Sequence, residues 1–348
     1  MSLGPLMVDV AGTTLSIEDR EVLRHPLVGS VLLFSRNYQD LPQINALVAE
    51  IRALRTPALL IAVDHEGGRV QRFREEFTRL PAARLLGRRI AIERRESLNT
   101  AAVAGWLMAI ELRRVGVDFS FAPCVDLDYG SSEVIGDRAL HRDPEAVGAL
   151  AVAYMGGMRE AGMAATAKHF PGHGAVVADS HVALPVDRRS FVDLEEDIRP
   201  YRLLIDNQLS GVLVSHVVFP QIDALPASLS PRWLSAILRR DLNFHGCIFA
   251  DDLSMAGVAT FGDAPARAQL AYAAGCDVLP VCNDRKSVHA VLDNFKPEVN
   301  PASQARLVRM RARGEPHSNI ASTIQWQEAV NLIASLSAPP PLELDGRS

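Results

Sequence analysis

Short, continuously apolar runs alternate along the chain with segments of helical period. The first run, Pro5 to Val10, precedes a helical stretch from Ser16 to Arg24. The second, Val28 to Phe34, precedes an amphipathic helix in which Ile44, Leu47, Val48, Ile51 and Leu54 share one stripe, with Asn45, Glu50 and Arg52 opposite. The third, Ala58 to Val63, ends at Asp64 and leads through a long loop to a helix near Asn99 to Val115. The fourth, Asp118 to Val125, is followed by a helix from Pro144 to Ala161, with Pro144 suited to its first turn. Four more pairs follow: Ala164 to His169 with Leu194 to Asn207, Gly211 to His216 with Pro231 to Leu242, Cys247 to Asp251 with Ala264 to Ala274, and Cys276 to Val281 with Ser287 to Asn294. Within Leu194 to Asn207, Pro200 marks either the true helix start or a kink.

Eight strand–helix units in strict alternation predict an α/β fold, a single (β/α)8 barrel of the TIM type. Strands apolar along their whole length suit a parallel sheet covered on both faces. A doubly wound open sheet shares this local pattern and is the structural alternative. Segments near Ala302 to Arg313 and Gln325 to Leu336 predict extra C-terminal helices. Residues 1–337 therefore read as one catalytic domain, and 338–348, with Pro339, Pro340 and Pro341, as a flexible tail. The 348 residues suit a barrel of about 250 residues with insertions, and no linker rich in Pro, Gly and Ser divides them.

Composition narrows the class. Apolar residues at 48% and charged residues at 22% belong to a globular chain rather than a disordered one. A net charge of −5 lacks the basic footprint of a nucleic-acid binder. Cys124, Cys247, Cys276 and Cys282 form no C-x-x-C pair and read as free thiols in a reducing compartment. Met1 to Gly12 has no Lys or Arg, and Asp9 interrupts its apolar stretch, so no secretory leader is expected. The apolar runs fall short of the roughly 18 residues that cross a membrane. A cytoplasmic location is the expectation.

In such a barrel the reacting groups gather at the C-terminal ends of the strands. Polar residues stand at five predicted tips: Asp64 with His65, Glu66, Gly67, Gly68 and Arg69; Asp126 and Asp128; Lys168 and His169; His216; and Asp251 with Asp252. The densest segment is Lys168-His169-Phe170-Pro171-Gly172-His173-Gly174, followed after four residues by Asp179-Ser180-His181. Pro171, Gly172 and Gly174 forbid a helix there. Asp179 lies two residues from His181, so its carboxylate can hold the imidazole in one tautomer and raise its basicity, which suits a proton shuttle. A loop knitted by its own hydrogen bonds accounts for the spacing equally well. A metal site at His169, His173, Asp179 and His181 is disfavoured, because Pro and Gly separate the first two and no thiol joins them. Lys168 suits either a Schiff base with a carbonyl substrate or a fixed cation that grips hydroxyls. Gly67-Gly68-Arg69 reads as a tight turn.

Lys168-His169-Phe170-Pro171-Gly172-His173-Gly174 with Asp179-Ser180-His181 resembles the signature of glycoside hydrolase family 3, and more narrowly its bacterial β-N-acetylglucosaminidase branch. Gly4 to Asp9, Val63-Asp64-His65-Glu66-Gly67-Gly68-Arg69-Val70-Gln71-Arg72 and Phe249-Ala250-Asp251-Asp252-Leu253-Ser254-Met255 extend the resemblance to the seventh strand. It implies a retaining exo-β-N-acetylglucosaminidase with Asp251 as nucleophile and His181, partnered by Asp179, as acid/base. Sugar-binding positions map onto Asp64, Arg72, Arg138, Lys168 and His169. Ala250 stands where the family usually has Ser or Thr, which puts one hydrogen bond in question but not the carboxylate. Many relatives carry a second domain. This chain has no room for one, so the acid/base is expected from the barrel loops.

The resemblance further implies cell-wall recycling, with a muropeptide substrate carrying GlcNAc β-1,4-linked to 1,6-anhydro-N-acetylmuramic acid. The expectation is a monomer acting on a small carbohydrate, without cofactor, metal, nucleic acid or membrane. Three alternatives stand beside it. They are a β-N-acetylglucosaminide phosphorylase, since a neutral imidazole repels phosphate less than a carboxylate does; a Schiff-base lyase using Lys168; and a non-catalytic sugar-binding barrel.

Overall fold

Each apolar run becomes a strand of one parallel sheet. The computed structural model describes residues 2–176, 184–314 and 319–336. Its barrel strands are β1 (Leu6–Val8), β2 (Val28–Leu33), β3 (Leu60–Val63), β4 (Phe119–Ser120), β5 (Ala164–Phe170), β6 (Gly211–Val214), β7 (Cys247–Ala250) and β8 (Leu279–Val281). They pair in chain order, and β8 returns to β1 through Leu6 opposite Leu279 and Val8 opposite Val281. Between β7 and β8 the contact falls just ahead of β8: Phe249 bridges Val278, whose carbonyl accepts the Ala250 N–H at 3.0 Å. First and last strands are therefore neighbours, as in a (β/α)8 barrel and unlike an open doubly wound sheet.

Most strands are shorter than their apolar runs, and for β4 and β8 the reasons are identifiable. The run from Asp118 to Val125 contains Pro123, which has no N–H to give the ladder. Pairing resumes at Cys124, which bridges Lys168, and the Val125 N–H donates to the Lys168 carbonyl at 2.8 Å. Ahead of β8, Asp277 turns inward as an acceptor. It takes the Ile248 N–H at 2.9 Å and the guanidinium groups of Arg239 and Arg306 at 2.6 and 3.0 Å.

Helices α1 (Ile17–Arg24), α2 (Leu41–Ala53), α3 (Arg94–Arg114), α4 (Pro144–Glu160), α5 (Glu195–Asp206), α6 (Arg232–Asp241), α7 (Ala264–Ala274) and α8 (Arg285–Asn294) follow the eight strands in turn. Their starts are written into the sequence. Ser16 and Asp19 form a reciprocal capping box on α1, and Asp40, Asp143, Asp263 and Asp284 cap α2, α4, α7 and α8. Pro200 lies buried inside α5, not at its start. The predicted helix at Ala302 to Arg313 is α9 (Pro301–Val308), which ends early. Its continuation is drawn to the barrel base, where Ala312 N–H donates to Asp118 at 3.2 Å and Arg313 N–H to the Gly162 carbonyl at 2.8 Å. The last helix, α10 (Ile324–Leu336), docks on α3 through Trp326, whose indole N–H donates to Glu111 at 2.9 Å.

Two features shape the mouth. Phe119, Phe121 and Phe249 pack with ring centroids 5.2–5.5 Å apart, and Phe121 reaches the floor of the cavity above. After β3 the chain forms a two-stranded ribbon, His65–Gly67 against Val70–Gln71. Its turn uses Gly67 and Gly68 at φ +108° and +53°, and a Cβ on Gly67 would fall 2.4 Å from the Pro81 carbonyl oxygen. The tight turn expected of Gly67-Gly68-Arg69 is thus present. It places Asp64 and Glu66 on one face, two residues apart.

Candidate active site

The tip of β5 carries Lys168 and His169 into the barrel mouth, with the Lys168–His169 and Phe170–Pro171 peptides both cis. Lys168 is 2% exposed. An isolated ammonium at that depth is costly, and two carboxylates offset it: Asp64 Oδ1 lies 2.8 Å and Glu66 Oε1 2.5 Å from Nζ. Burial works to lower the Lys168 pKa, but Asp64 and then Glu66 outweigh it and raise the value. The side chain is therefore a fixed cation.

Arg138 approaches from the loop after β4. Its guanidinium forks onto Glu66, Nε to Oε2 at 2.9 Å and an Nη to Oε1 at 2.8 Å. Burial alone would raise the Glu66 carboxyl. Arg138 and then Lys168 reverse that and hold it well below the usual carboxylate range. Glu66 thereby clamps two of the cations that the family resemblance singles out. Arg72 reaches the same group less tightly, 3.8 Å from Asp64.

His169 is positioned from behind by Asp126. Its Nδ1 lies 2.7 Å from Asp126 Oδ2, and an Arg138 Nη faces its Nε2 at 3.3 Å. Arg138 can only donate, so these partners assign the proton to Nδ1 and leave Nε2 as the acceptor. Asp126 also accepts the backbone N–H groups of His169 and His173. Burial pushes the Asp126 carboxyl up. The His169 ring, with His173 behind it, outweighs burial and holds the value at about 2. Cys124 Sγ, an Asp126 carboxylate oxygen and a His169 ring nitrogen lie within 4.8 Å of one another, near enough to share a metal ion. The carboxylate lone pairs there are taken by N–H donors and by the Cys124 thiol at 3.3 Å, which is the pattern of a hydrogen-bonded anchor.

Asp251 stands at the end of β7. Its backbone N–H donates to the Val214 carbonyl at 3.0 Å, and its Oδ1 accepts the Asp252 N–H at 2.9 Å. Asp252 turns aside, accepting from the Ser254 N–H and hydroxyl and from the Cys282 N–H. Burial, the largest influence, raises the Asp252 carboxyl to about 6 despite those donors. The two neighbouring acids therefore differ in surroundings.

Asp64, Arg72, Arg138, Lys168, His169 and Asp251 all line one cavity of about 550 Å³, within the range of small-molecule sites. Asp179 and His181 lie outside the described residues. Two other polar tips serve the fold. His216 links Ser228 Oγ at 2.6 Å to the Asp252 carbonyl at 3.0 Å, and Asp128 pairs with Arg84 at 2.5 Å. His65 is buried against Phe73 and Phe77, and burial, then Arg72, lowers its pKa to about 3. Sequence reasoning gave no role to Glu66 or Asp126. Glu66 had a signal, since it follows Asp64 by two residues and so shares its face. Asp126 had only its place at a strand tip.

Comparison with known proteins agrees with the barrel fold. The Glycosyl hydrolase family 3 N terminal domain matches residues 6–310. A Beta-hexosaminidase of Thioalkalivibrio sulfidiphilus is 53% identical over 346 residues, covering 99% of this chain and all of that protein. A Beta-hexosaminidase of Nitrosospira multiformis is 52% identical, covering 91% of each. The crystal structure of NagZ from Neisseria gonorrhoeae in complex with N-trifluoroacetyl-D-glucosamine superposes with a TM-score of 0.93 at 43% identity, covering 97% of this chain and 99% of that one.

Proposed function

This chain belongs to glycosyl hydrolase family 3, as a glycoside hydrolase of the β-hexosaminidase type, and we propose that it is a retaining exo-β-N-acetylglucosaminidase. The observation that carries this reading is the meeting of Asp251 with the Lys168, Asp64, Glu66, Arg138 and His169 network around one cavity. Buried, mutually paired polar groups of this kind suit the hydroxyls of a single sugar ring and reject ligands that leave them unpaired.

In the proposed reaction a carboxylate oxygen of Asp251 attacks the anomeric carbon as the glycosidic C–O bond breaks. The leaving oxygen takes a proton from His181, which Asp179 orients. Water then gives a proton back to His181 and its oxygen displaces Asp251, so the sugar leaves with net retention. The roles of Asp179 and His181 rest on the motif alone. The substrate we propose is a muropeptide fragment with terminal GlcNAc on 1,6-anhydro-N-acetylmuramic acid, cleaved by a cytoplasmic monomer without cofactor during cell-wall recycling. No described helix is long and apolar enough to cross a membrane.

The Schiff-base alternative needs a Lys168 that sheds its proton easily, and Asp64 and Glu66 oppose that. Hydrolysis of an aryl β-N-acetylglucosaminide, with the released sugar followed by NMR, tests the proposal. The β-anomer should appear first. No hydrolysis, or first appearance of the α-anomer, would overturn it. In phosphate buffer the product should be free GlcNAc, and a sugar 1-phosphate would point to phosphorolysis instead.

A further inference from the structure

The loop after β5 holds one more imidazole, to which neither the motif reading nor the mechanism above gives a task. His173 is 2% exposed and lines the same cavity as Lys168, His169 and Asp251. Neither of its ring nitrogens has a hydrogen-bond partner among the described residues. Nearly all buried polar side chains in folded proteins are paired, and an unpaired one weakens the fold. This ring has little freedom to seek a partner elsewhere. Its backbone N–H donates to Asp126 Oδ1 at 2.7 Å, and its ring makes an edge-to-face contact with the His169 ring at 5.9 Å between centroids. One residue on, the backbone presses so closely against the β4 loop that a Cβ on Gly174 would lie 1.9 Å from the Leu127 carbonyl oxygen.

We propose that His173 is a further substrate-binding residue, whose ring pairs with a hydroxyl or amide of the bound sugar between the His169 grip and Asp251. The chemistry matches. Burial, and after it the neighbouring His169, lowers the His173 pKa, so the ring is neutral near pH 7 and offers one donor and one acceptor. Sugar hydroxyls and an acetamido group also donate and accept. A bound sugar would supply partners for both ring nitrogens, so its binding would gain hydrogen bonds that the protein's own groups do not make. The inference rests on the sugar-hydrolase reading of the cavity.

The test compares wild type with His173→Leu, of similar volume, and His173→Gln, which keeps a donor and an acceptor. Removing an unpaired buried polar ring should leave the leucine variant with a Tm no lower than wild type. Its kcat/KM on an aryl β-N-acetylglucosaminide should fall about tenfold or more, and its thermal stabilisation by N-acetylglucosamine should shrink. The glutamine variant should recover part of both losses. A leucine variant within twofold of wild-type kcat/KM would overturn the inference. So would a leucine variant that melts lower or fails to fold, because the ring would then have a structural task. An inactive wild type would instead remove the proposed function itself.

Discussion

Lys168 illustrates how one buried charge organises a site. Its ammonium is held by two acids, one of which, Glu66, also carries the Arg138 fork. Glu66→Gln would keep an acceptor but leave Lys168 with Asp64 as its one paired carboxylate and take the carboxylate fork from Arg138. Breaking a buried pair of this kind costs about 3 kcal/mol or more, so that variant should melt lower and show a raised KM in steady-state assays. Asp251→Asn should behave oppositely. With Asp251 as the proposed nucleophile, kcat should drop roughly 10³-fold or more while N-acetylglucosamine still stabilises the protein in a melting experiment. Retained turnover would take Asp251 out of the mechanism. At this scale the sequence was read unevenly. Asp251, Lys168, His169 and Asp64 were legible because they stand at strand tips. Arg138 was reached only through the family motif, because it lies on an irregular loop. The anchoring acids Glu66 and Asp126 act through other side chains; the two-residue spacing from Asp64 marks the face of Glu66, but nothing in spacing announces the duty of Asp126.

Elements were more legible than contacts, because their ends follow local chemistry. Asp143, followed by Pro144, starts α4 by accepting the Ala146 N–H at 2.8 Å. Asp143→Ala should cost about 1 kcal/mol of stability in denaturant unfolding and leave kcat/KM unchanged, since this cap serves only the helix. A drop in kcat/KM would mean that the start of α4 also shapes the loop bearing Arg138. Where element reading fell short, the missing term was tertiary. Pro123 marks the break in the β4 ladder, but nothing in the apolar run shows that Cys124 rejoins it on Lys168. The ribbon at His65–Gln71 has no alternating pattern to mark it as strand. Its pairing depends on Gly67 fitting under Pro81, a contact that cannot be seen locally.

For the whole molecule, barrel closure brings together groups far apart in sequence, such as Asp64 and Lys168 at a separation of 104 residues. It also buries acids in unlike settings, and this gives the stability a pH dependence of two opposite signs. Asp126 sits at about 2, below its ordinary 3.8. Its contribution is present above pH 3.8 and is lost as pH falls through 2. Asp252 is raised from 3.8 to about 6, so its contribution is full below pH 3.8 and is lost as pH rises through 6. The asparagine in Asp252→Asn cannot ionise, yet its carbonyl can still accept from Ser254 and Cys282. That variant should therefore melt higher than wild type at pH 7.5, by a stability gain of at most about 3 kcal/mol, and the gain should vanish near pH 4. A gain of the same size at both pH values would trace to packing rather than to ionisation. A loss at pH 7.5 would mean that the charged carboxylate, pressed by burial but held by three donors, is the form the fold requires.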